Sequence, residues 1–438
     1  MEELLGILVK YKDKIFNYFG IKFDEKINKI IPGIGDTHEQ GKTVAKIFFS
    51  SGNIIVYKPR NLKIAKAYNK FINWLNSKNE ILDMPTYSIL CFDNFTFEEF
   101  VSKKSCVSEK EIENYYIRFG QLIAIMYLLN GTDIHMENLI ACGEYPYVVD
   151  LETLFQNDIK FNIPDTAFSK ATYEMFNLVT KTSLLPSKTF KIDLRQNGID
   201  VSALDGKEQE IPHKILAPVN ILTDEMRYEL TNAKIPSAEN IPELNGKPVS
   251  YNPYIEKIVQ GFRNACNLFL KHKEELLNSN GILNEFKNVK IRIILRNTVQ
   301  YSNIIQHLHH PDYMRDALLR EQMLQNIWSF PYLNKEVINS EYHDLLNNDI
   351  PIFYSYTDSL DLIDSRGKIY KNYFEKSGFE KVMENISKLC EEEINKQISV
   401  IYVSTGEYES RYKKYHKHTM NLKNSNHIDT KTNINHEC

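Results

Sequence analysis

Asp133, His135, Asn138 and Asp150 lie within residues 132–155, a stretch that otherwise has the pattern of loop and apolar strand. Asn138 follows Asp133 by five residues, and Asp150 comes twelve residues later, directly after the run Tyr-Val-Val. A carboxylate beside an apolar run is costly to bury unless a partner or a bound ion needs it. A carboxylate base followed by an amide and a second carboxylate is a set that can bind a metal-bound nucleotide.

The order of these polar residues is close to that of protein kinases, in which an Asp base precedes two metal ligands. The HRD, DFG and APE motifs of kinases are missing, and His135 stands where kinases have a Lys. Lys58 ends the apolar run Ile-Ile-Val-Tyr, in the order of the kinase strand lysine. Glycines within 33–41 would let backbone approach phosphate closely. Taken singly, each residue also suits an ordinary turn, helix cap or strand end.

Apolar periodicity predicts the elements that would position these residues. The pattern is helical over residues 1–30 and is followed by a turn rich in Gly and Pro over 31–41. Next come a hairpin (44–50 and 53–59), a helix (62–75), a strand pair (87–92 and 95–101) and a nearly all-apolar helix (109–129). Further helices are predicted for 219–230, 252–277, 316–328 and 375–404, and a strand for 289–295.

A second polar group follows the predicted strand at 289–295. Alternate residues of a strand share a face, so Arg292, Arg296 and Thr298 would point the same way if the segment stays extended. Two guanidiniums and a hydroxyl on one face would suit a dianionic leaving group. The alternative is an exposed edge with ordinary surface arginines. Asp36 and His38, in the run Gly-Asp-Thr-His, are likewise compatible with a simple polar turn.

Composition excludes several classes of protein. The chain has 438 residues, 42% of them hydrophobic, and a net charge of only -4, so no basic field for nucleic acid is predicted. The longest apolar stretch, Leu122–Leu129, is too short to span a bilayer, and the N-terminus lacks signal-peptide features. The six cysteines lack zinc-ligand spacing, and His307, His309 and His310 suit a polar turn. We therefore expect a cytoplasmic protein without a membrane span or a zinc site.

Six ordered motifs together resemble the dehydratase domain of class II lanthipeptide synthetases of the LanM type. They are GDTHEQGKTV, VYKPR, TDIHMENLIACG, VDLETLF, RIILRNTVQY and DSRG, between residue 35 and about residue 367. The resemblance implies an α+β fold, a lipid-kinase-like two-lobed catalytic core with additional helices. The expected organisation is a helical segment (1–30), a kinase-like dehydratase domain (31–404, with a small lobe of about 31–104 and a large lobe of about 105–404) and a polar, disordered tail (405–438).

The resemblance also implies an activity. Such enzymes dehydrate Ser and Thr of a ribosomally made precursor peptide, by phosphorylation from ATP with Mg²⁺ and then elimination of phosphate. By motif, the phosphorylation set is Lys58, Asp133, His135, Asn138 and Asp150, of which Asn138 and Asp150 would hold Mg²⁺ and, with Lys58, the nucleotide. The elimination set is Asp36, His38, Arg292 and Thr298.

The sequence departs from this family pattern at both ends. Full-length members carry a C-terminal cyclase domain with zinc held by two Cys and one His, and a longer helical segment before GDTH, whereas 35 residues precede Asp36 here. We therefore expect no cyclase activity, and as partners a precursor peptide and a separate cyclase, a chain supplying the N-terminal segment, or an export transporter. The alternatives are a kinase without elimination and an inactive, truncated remnant that at most binds a precursor.

Overall fold

The computed structural model describes residues 2–159, 166–175, 177–186, 199–211, 214–220 and 223–406. The predicted tail from 405 lies outside the described residues beyond 406. The described residues combine many helices with antiparallel sheets, which agrees with the predicted α+β class.

The N-terminal part is an antiparallel sheet with helices on its apolar face. Its elements are α1 (Glu2–Lys10), α2 (Lys12–Phe19), β1 (Ile27–His38), β2 (Lys42–Phe49), β3 (Ile54–Lys58), α3 (Lys63–Ser77), β4 (Ile89–Cys91) and β5 (Thr96–Glu99). The sheet order is β1-β2-β3-β5-β4. Buried side chains such as Ile47, Ile55 and Phe97 pack with Leu8 and Ile15 of the two first helices. The predicted hairpin, helix and strand pair are confirmed, and the other face of the sheet is left for polar residues.

The turn predicted for 31–41 is wrong, because β1 continues through most of it to His38. The four β-branched isoleucines of β1 favour the extended conformation. Gly33 and Gly35 adopt φ of 74° and 77°, and the pairing with β2 shifts register around them. The glycines therefore produce irregularities within a strand instead of ending it, and the turn is confined to residues 39–41.

The middle of the chain is organised around two helices in close contact. Its elements are α4 (Glu109–Leu128), β6 (Leu139–Cys142), β7 (Tyr145–Val148), β8 (Asp158–Ile159), α5 (Ala167–Met175), β9 (Gln209–Glu210), β10 (Ile215–Val219), β11 (Arg227–Thr231), β12 (Lys234–Ile235), β13 (Glu243–Leu244), β14 (Lys247–Pro248), α6 (Ile255–Lys271) and α7 (Lys273–Leu277). A Cβ at Gly120 of α4 would lie 1.9 Å from the carbonyl oxygen of Ile258. Likewise, a Cβ at Gly261 of α6 would lie 1.9 Å from that of Ile117. The backbones of α4 and α6 therefore touch, which fixes the start of the loop that follows α4.

The helix predicted for 219–230 is wrong, since β10 and β11 form a hairpin there. The run Arg-Tyr-Glu-Leu-Thr of β11 contains a β-branched and an aromatic residue, which favour strands. Asn220 adopts φ of 54° and ends β10 at the turn. The helices predicted for 109–129 and 252–277 are confirmed.

The C-terminal part joins a four-stranded sheet to several helices. Its elements are β15 (Lys290–Ile293), α8 (Thr298–Leu308), α9 (Pro311–Met314), α10 (Ala317–Leu324), α11 (Val337–Leu346), β16 (Phe353–Tyr356), β17 (Leu362–Asp364), β18 (Ile369–Tyr370), β19 (Phe374–Lys376), α12 (Gly378–Lys388) and α13 (Glu391–Thr405). The sheet order is β15-β16-β17-β18, and the DSRG motif forms the turn between its last two strands. In the part of the chain described, no helix has the length and apolar character needed to cross a membrane.

Candidate active site

A cleft of about 610 Å³ contains all nine residues that the sequence motifs single out. We call it the central cleft. Strands β1, β2 and β3 contribute to one side, and the loop after α4, the end of β7, β15 and the start of α8 contribute to the other. The nine residues, distributed over 263 positions of the sequence from Asp36 to Thr298, are Asp36, His38, Lys58, Asp133, His135, Asn138, Asp150, Arg292 and Thr298.

Lys58 is a buried cation between two carboxylates. Its ammonium lies 3.1 Å from Glu98 Oε2 and 3.7 Å from Asp150 Oδ1, and it donates a 2.8 Å hydrogen bond to the carbonyl of Val149. Burial works to lower the pKa of Lys58, but the charges of Asp150 and Glu98 outweigh it, so the pKa is raised. Lys58 therefore stays charged in the cleft, as a phosphate-binding lysine must.

The loop after α4 holds Asp133 in an unusual backbone conformation. Asp133 adopts φ of 61°, in the left-handed region that Asp tolerates better than most residues. Its neighbours are tied down by hydrogen bonds, from Thr132 N–H to Thr153 O at 3.1 Å and from Ile134 N–H to Thr182 O at 3.0 Å. The Asn138 side-chain amide donates a 2.8 Å hydrogen bond to the carbonyl of Asp133. The surrounding structure thus holds the Asp133 carboxylate toward the cleft.

The electrostatic surroundings make Asp133 a stronger base than an ordinary aspartate. The Asp133 side chain is 40% exposed because it faces the cleft. The protein around it nevertheless excludes much of the solvent, and this desolvation raises the pKa of Asp133. The charge of His135, when its ring is protonated, and the charge of Arg292 oppose that effect without cancelling it. His135 Nε2 lies 4.0 Å from Asp133 Oδ1, while its Nδ1 accepts a 3.3 Å hydrogen bond from the Glu137 N–H. Accepting at Nδ1 leaves the neutral ring with its proton on Nε2, the nitrogen nearer Asp133.

Asn138 and Asp150 offer oxygen atoms to the cleft. Because the Asn138 Nδ2 group is held by the Asp133 carbonyl, the amide orientation leaves its oxygen available. Asp150 Oδ1 is buried and lacks a hydrogen-bond partner within the described structure. Amide and carboxylate oxygens are the ligands that Mg²⁺ prefers, usually one or two of them together with substrate phosphates. These two residues therefore fit the predicted role.

The end of the β1–β2 hairpin is fastened to the segment after α11. Gln40 N–H and Gly41 N–H donate hydrogen bonds of 2.6 Å and 3.0 Å to the carboxylate of Asp349, and Ile350 N–H donates to the Thr37 carbonyl at 2.9 Å. His38 Nδ1 lies 2.7 Å from the carbonyl of Ile350. A carbonyl only accepts, so Nδ1 carries the proton and Nε2 of the neutral ring has a free lone pair.

Burial lowers the pKa of His38, and the charge of Arg292 lowers it further. The ring is therefore neutral at pH 7 and can accept a proton. Asp36, two residues earlier, is exposed and lines the same cleft. The β1–β2 hairpin thus brings the His38 ring, with a free lone pair on Nε2, and the Asp36 carboxylate to the side of the cleft near Arg292.

Arg292 belongs to a buried cluster of two arginines and one carboxylate. Its Nη1 donates a 2.6 Å hydrogen bond to Glu152 Oε1, and Arg60 Nε lies 2.6 Å from Glu152 Oε2. Burial alone would raise the pKa of Glu152, but Arg60 and Arg292 outweigh it and hold the pKa at about 2. Glu152 is therefore ionised and fixes both guanidiniums at the wall of the cleft.

The expected pairing of Arg292 with Arg296 on one strand face is wrong. The strand ends at Ile293, and Arg296 turns into a separate buried site. There its Nη2 donates a 2.8 Å hydrogen bond to Glu341, and its guanidinium lies 4.1 Å from the centre of the Phe330 ring. Thr298, by contrast, is the first residue of α8 and lines the cleft.

Three residues of the site were missed by the sequence interpretation: Arg60, Glu98 and Glu152. Arg60 follows Lys58 by two residues, and Glu152 follows Asp150 by two. In extended chain this spacing places residues on the same side, which is a signal that could have identified both. Glu98 is an acid in an apolar strand, which costs free energy without a cationic partner and therefore predicts one.

The histidines at 307–310, for which a polar turn was predicted, lie at the end of α8 and the start of α9 and make local contacts there. His307 Nδ1 lies 2.6 Å from the Asn303 carbonyl, and the His310 side chain accepts from Asp312 N–H at the start of α9. Within the described ranges, no group of three or more His, Cys, Asp or Glu side chains has an arrangement that could hold a metal ion. A magnesium ion bound together with nucleotide phosphates does not require such a group.

Comparison with known proteins identifies the family. Residues 1–356 match the family described as "Domain of unknown function (DUF4135)", and this chain belongs to that family. Over 398 residues the chain is 27% identical to the Lacticin 481/lactococcin biosynthesis protein LcnDR2 of Lactococcus lactis subsp. lactis. The match covers 86% of this chain and 41% of that protein, so the chain spans about two fifths of the length of this curated relative. The predicted resemblance to LanM-type synthetases is confirmed.

Proposed function

We propose that this chain modifies a ribosomally made lanthipeptide precursor by dehydrating its Ser and Thr residues. The observation that carries the proposal is that one cleft contains all nine residues of the two predicted sets. The similarity to a biosynthesis protein of lacticin 481 supports the class of pathway. We further infer that the antiparallel sheet and the part that follows it act as the two lobes of a lipid-kinase-like core, with the cleft between them.

The first half-reaction is phosphorylation of a Ser or Thr hydroxyl by ATP. Lys58, charged and buried at the cleft, binds the phosphates. Asn138 and Asp150 would hold Mg²⁺, which neutralises charge on the transferred group when bound. Asp133 accepts the hydroxyl proton as the oxygen attacks the γ-phosphorus of ATP, the bond to the bridging oxygen breaks and ADP leaves. The raised pKa of Asp133 suits that role at neutral pH.

The second half-reaction removes the phosphate. A base takes the proton from Cα, the Cβ–O bond breaks, and phosphate leaves with the bonding electrons, so that a Cα=Cβ double bond forms. His38 is the base that the geometry favours, because its Nε2 lone pair is free and its lowered pKa leaves the ring neutral at pH 7. Arg292 and Thr298 stabilise the leaving phosphate, and Asp36 assists on the hairpin side.

Two alternative functions remain distinct in what they produce. A kinase without elimination would leave phosphopeptide as its final product. A precursor-binding subunit would produce neither product and would not consume ATP. Neither alternative accounts for the four residues of the elimination set lining the same cleft as the phosphorylation set. A separate cyclase, a chain with the N-terminal segment and an export transporter remain our proposed further partners, and the protein is proposed to act in the cytoplasm.

The test combines the purified chain, ATP, Mg²⁺ and a peptide encoded by a neighbouring short reading frame rich in Ser, Thr and Cys. Mass spectrometry should show a loss of about 18 Da for each dehydrated residue, whereas phosphorylation alone adds about 80 Da. In the Asp133→Asn variant both products and ATP consumption should be lost. Arg292→Ala should instead accumulate phosphopeptide.

Exposed residues outside the cleft provide matched controls. Asp312→Asn removes a carboxylate that is 75% exposed, and Arg227→Ala removes a guanidinium that is 57% exposed. Both variants should behave as wild type. Normal ATP consumption by Asp133→Asn would eliminate the kinase proposal, and normal dehydration by Arg292→Ala would eliminate the proposed role of Arg292.

A further inference from the structure

A second cavity of about 250 Å³ adjoins the central cleft. We call it the basic cavity. The two cavities share a wall, because six residues line both: Glu39, Lys42, Pro59, Arg60, Arg292 and Tyr354. The basic cavity is completed on the far side mainly by the segments 61–62 and 93–94, by Glu152 and by the strand residues Lys290 and Ile291. No residue of the predicted phosphorylation set lines it.

Four cations and the carboxylates of Glu39, Asp93 and Glu152 line the basic cavity, and one of the cations has no carboxylate at ion-pair distance within the described residues. Arg60 and Arg292 share Glu152, and Lys42 lies 3.7 Å from Glu39. Lys290 has no carboxylate within 4.0 Å in the described part of the chain; its ammonium lies 3.5 Å from the centre of the Tyr354 ring. Burial lowers the pKa of Lys290, as expected for a half-buried cation. An anion bound beside it would supply the missing opposite charge.

Lys290 and Arg292 are held in register by the same strand. They are alternate residues of β15, opposite Tyr356 and Tyr354 of β16, while Ile291 and Ile293 between and after them are buried. Alternation therefore puts the ammonium and the guanidinium on one face. The sequence pattern predicted a pair of cations, Arg292 and Arg296, on one face of the strand. In the structure Arg292 is paired with Lys290, two residues earlier on β15.

We propose that the basic cavity binds the inorganic phosphate released by elimination, and that Lys290 is a specific contact for it. This inference rests on the proposed function, since only elimination releases phosphate. Arg60 and Arg292 line both cavities, so the ion can move between them while remaining beside a guanidinium. The space suffices for a small tetrahedral oxyanion with water, because one water occupies about 30 Å³ in the liquid.

The test measures binding of inorganic phosphate to the full chain, by calorimetric titration at constant ionic strength. The Lys290→Gln variant should bind phosphate about tenfold more weakly than wild type, because a partly desolvated cation is lost. The matched control is Lys287→Gln. Lys287 is an exposed lysine three residues earlier, 5.1 Å from the centre of the Phe379 ring and outside both cavities, and its loss should leave phosphate affinity unchanged.

A second titration with O-phosphoserine distinguishes the free ion from a phosphate ester. If Lys290→Gln weakens phosphoserine as much as phosphate, the cavity serves the substrate and the product-site proposal is overturned. Equal phosphate affinity of wild type and Lys290→Gln, or the absence of saturable binding to wild type, also overturns it. Should Lys290→Gln fail to fold, Lys290→Arg keeps the charge and must retain phosphate binding. Lys290-dependent binding in a chain that dehydrates no peptide would refute the proposed function and leave the anion site standing.

Discussion

Two charged clusters lie side by side at the cleft, and two pieces of chain contribute a residue to each of them. The Lys58 cluster consists of Lys58, Glu98 and Asp150, and the Glu152 cluster consists of Arg60, Glu152 and Arg292. The cations Lys58 and Arg60 are two residues apart on one segment, and the acids Asp150 and Glu152 are two residues apart on another. Despite these shared segments, the clusters differ in their ion-pair distances and in the exposure of their acids.

The Lys58 cluster has longer ion pairs than the Glu152 cluster, and its acid Asp150 is more open to the cleft. Asp150 Oδ1 and Glu98 Oε1 are buried without hydrogen-bond partners within the described residues, and the Asp150 side chain is 26% exposed. The Glu152 side chain is 5% exposed, with an arginine at each carboxylate oxygen. In the Glu152 cluster, Arg60 Nε and Glu152 Oε2 also lack hydrogen-bond geometry within the described residues, although they lie 2.6 Å apart as an ion pair. The exposure of Asp150 therefore suits the first cluster to binding, and the two short ion pairs suit the second to positioning guanidiniums.

Removing the charge of Glu152 should give the largest effect. Glu152→Gln leaves two buried guanidiniums with only a neutral partner, which should lower the free energy of unfolding by about 3–5 kcal/mol. The measurement is urea unfolding of both proteins at pH 6. A loss below about 1 kcal/mol would mean that the cluster contributes no more than a surface ion pair.

The pH dependence of this loss has a defined sign. The pKa of Glu152 is about 2 in the folded protein, below the usual value of a glutamate. The stabilisation is therefore fully present above about pH 4.3, the unfolded pKa, and is lost as pH falls toward the folded pKa. The difference in unfolding free energy between wild type and Glu152→Gln should be smaller at pH 3 than at pH 6. A constant difference would contradict the low pKa.

Asp150→Asn should separate the two clusters, because it should affect activity with little change in stability. Phosphorylation should fall by more than about 100-fold, since the proposed metal ligand and its charge are lost. The free energy of unfolding should change by less than about 1 kcal/mol, because Lys58 keeps Glu98 at 3.1 Å as a partner. ATP consumption and urea unfolding of the same preparation provide both readings. A stability loss as large as that of Glu152→Gln would remove the distinction between the clusters.

Local pattern was enough to predict the elements whose apolar spacing is regular. The structure confirms the β2–β3 hairpin, α3, α4 and the C-terminal helices. Each of these elements buries one face or one stripe, so its apolar residues recur at the spacing of a strand or a helix. The prediction failed at residues 31–41 and 219–230. At 31–41 Gly and Pro suggested a turn, and at 219–230 the apolar spacing suggested a helix. In both segments strand pairing with a neighbour decided the conformation.

The site was predicted residue by residue, but its charge pairing was not. Motifs identified the residues that line the cleft, because each motif is local. The pairing of Arg60 and Arg292 with Glu152 joins three distant segments, and no local spacing determines it. Arg296 illustrates the reverse case. Its spacing from Arg292 was correct for a strand, but the strand ends three residues before it and tertiary contacts with Glu341 decide its place.

Glu98→Gln should have an intermediate effect on activity. It tests whether Glu98 helps to orient Lys58. The variant leaves the Lys58 ammonium with Asp150 as its charged partner, so the lysine should be less firmly oriented toward the nucleotide. We expect about a tenfold increase in the KM for ATP, with a smaller change in kcat. Glu208→Gln is the control, since the Glu208 side chain is 58% exposed and Glu208 does not line the central cleft. An unchanged KM would show that Asp150 alone orients Lys58.

The smallest expected effect concerns the pH dependence of elimination, which reports on the side of the cleft next to the Glu152 cluster. A histidine base acts in its neutral form, and the pKa of His38 lies below 6.5 because burial and the charge of Arg292 disfavour protonation. Elimination from a preformed phosphopeptide should therefore fall by less than about twofold between pH 8 and 6.5, and decline steeply only below that range. In an Arg292→Lys variant the positive charge remains, so the profile should keep its position even if the rate falls. Loss of activity already between pH 8 and 7, with the His343→Gln control behaving as wild type, would assign the proton transfer to a group other than His38.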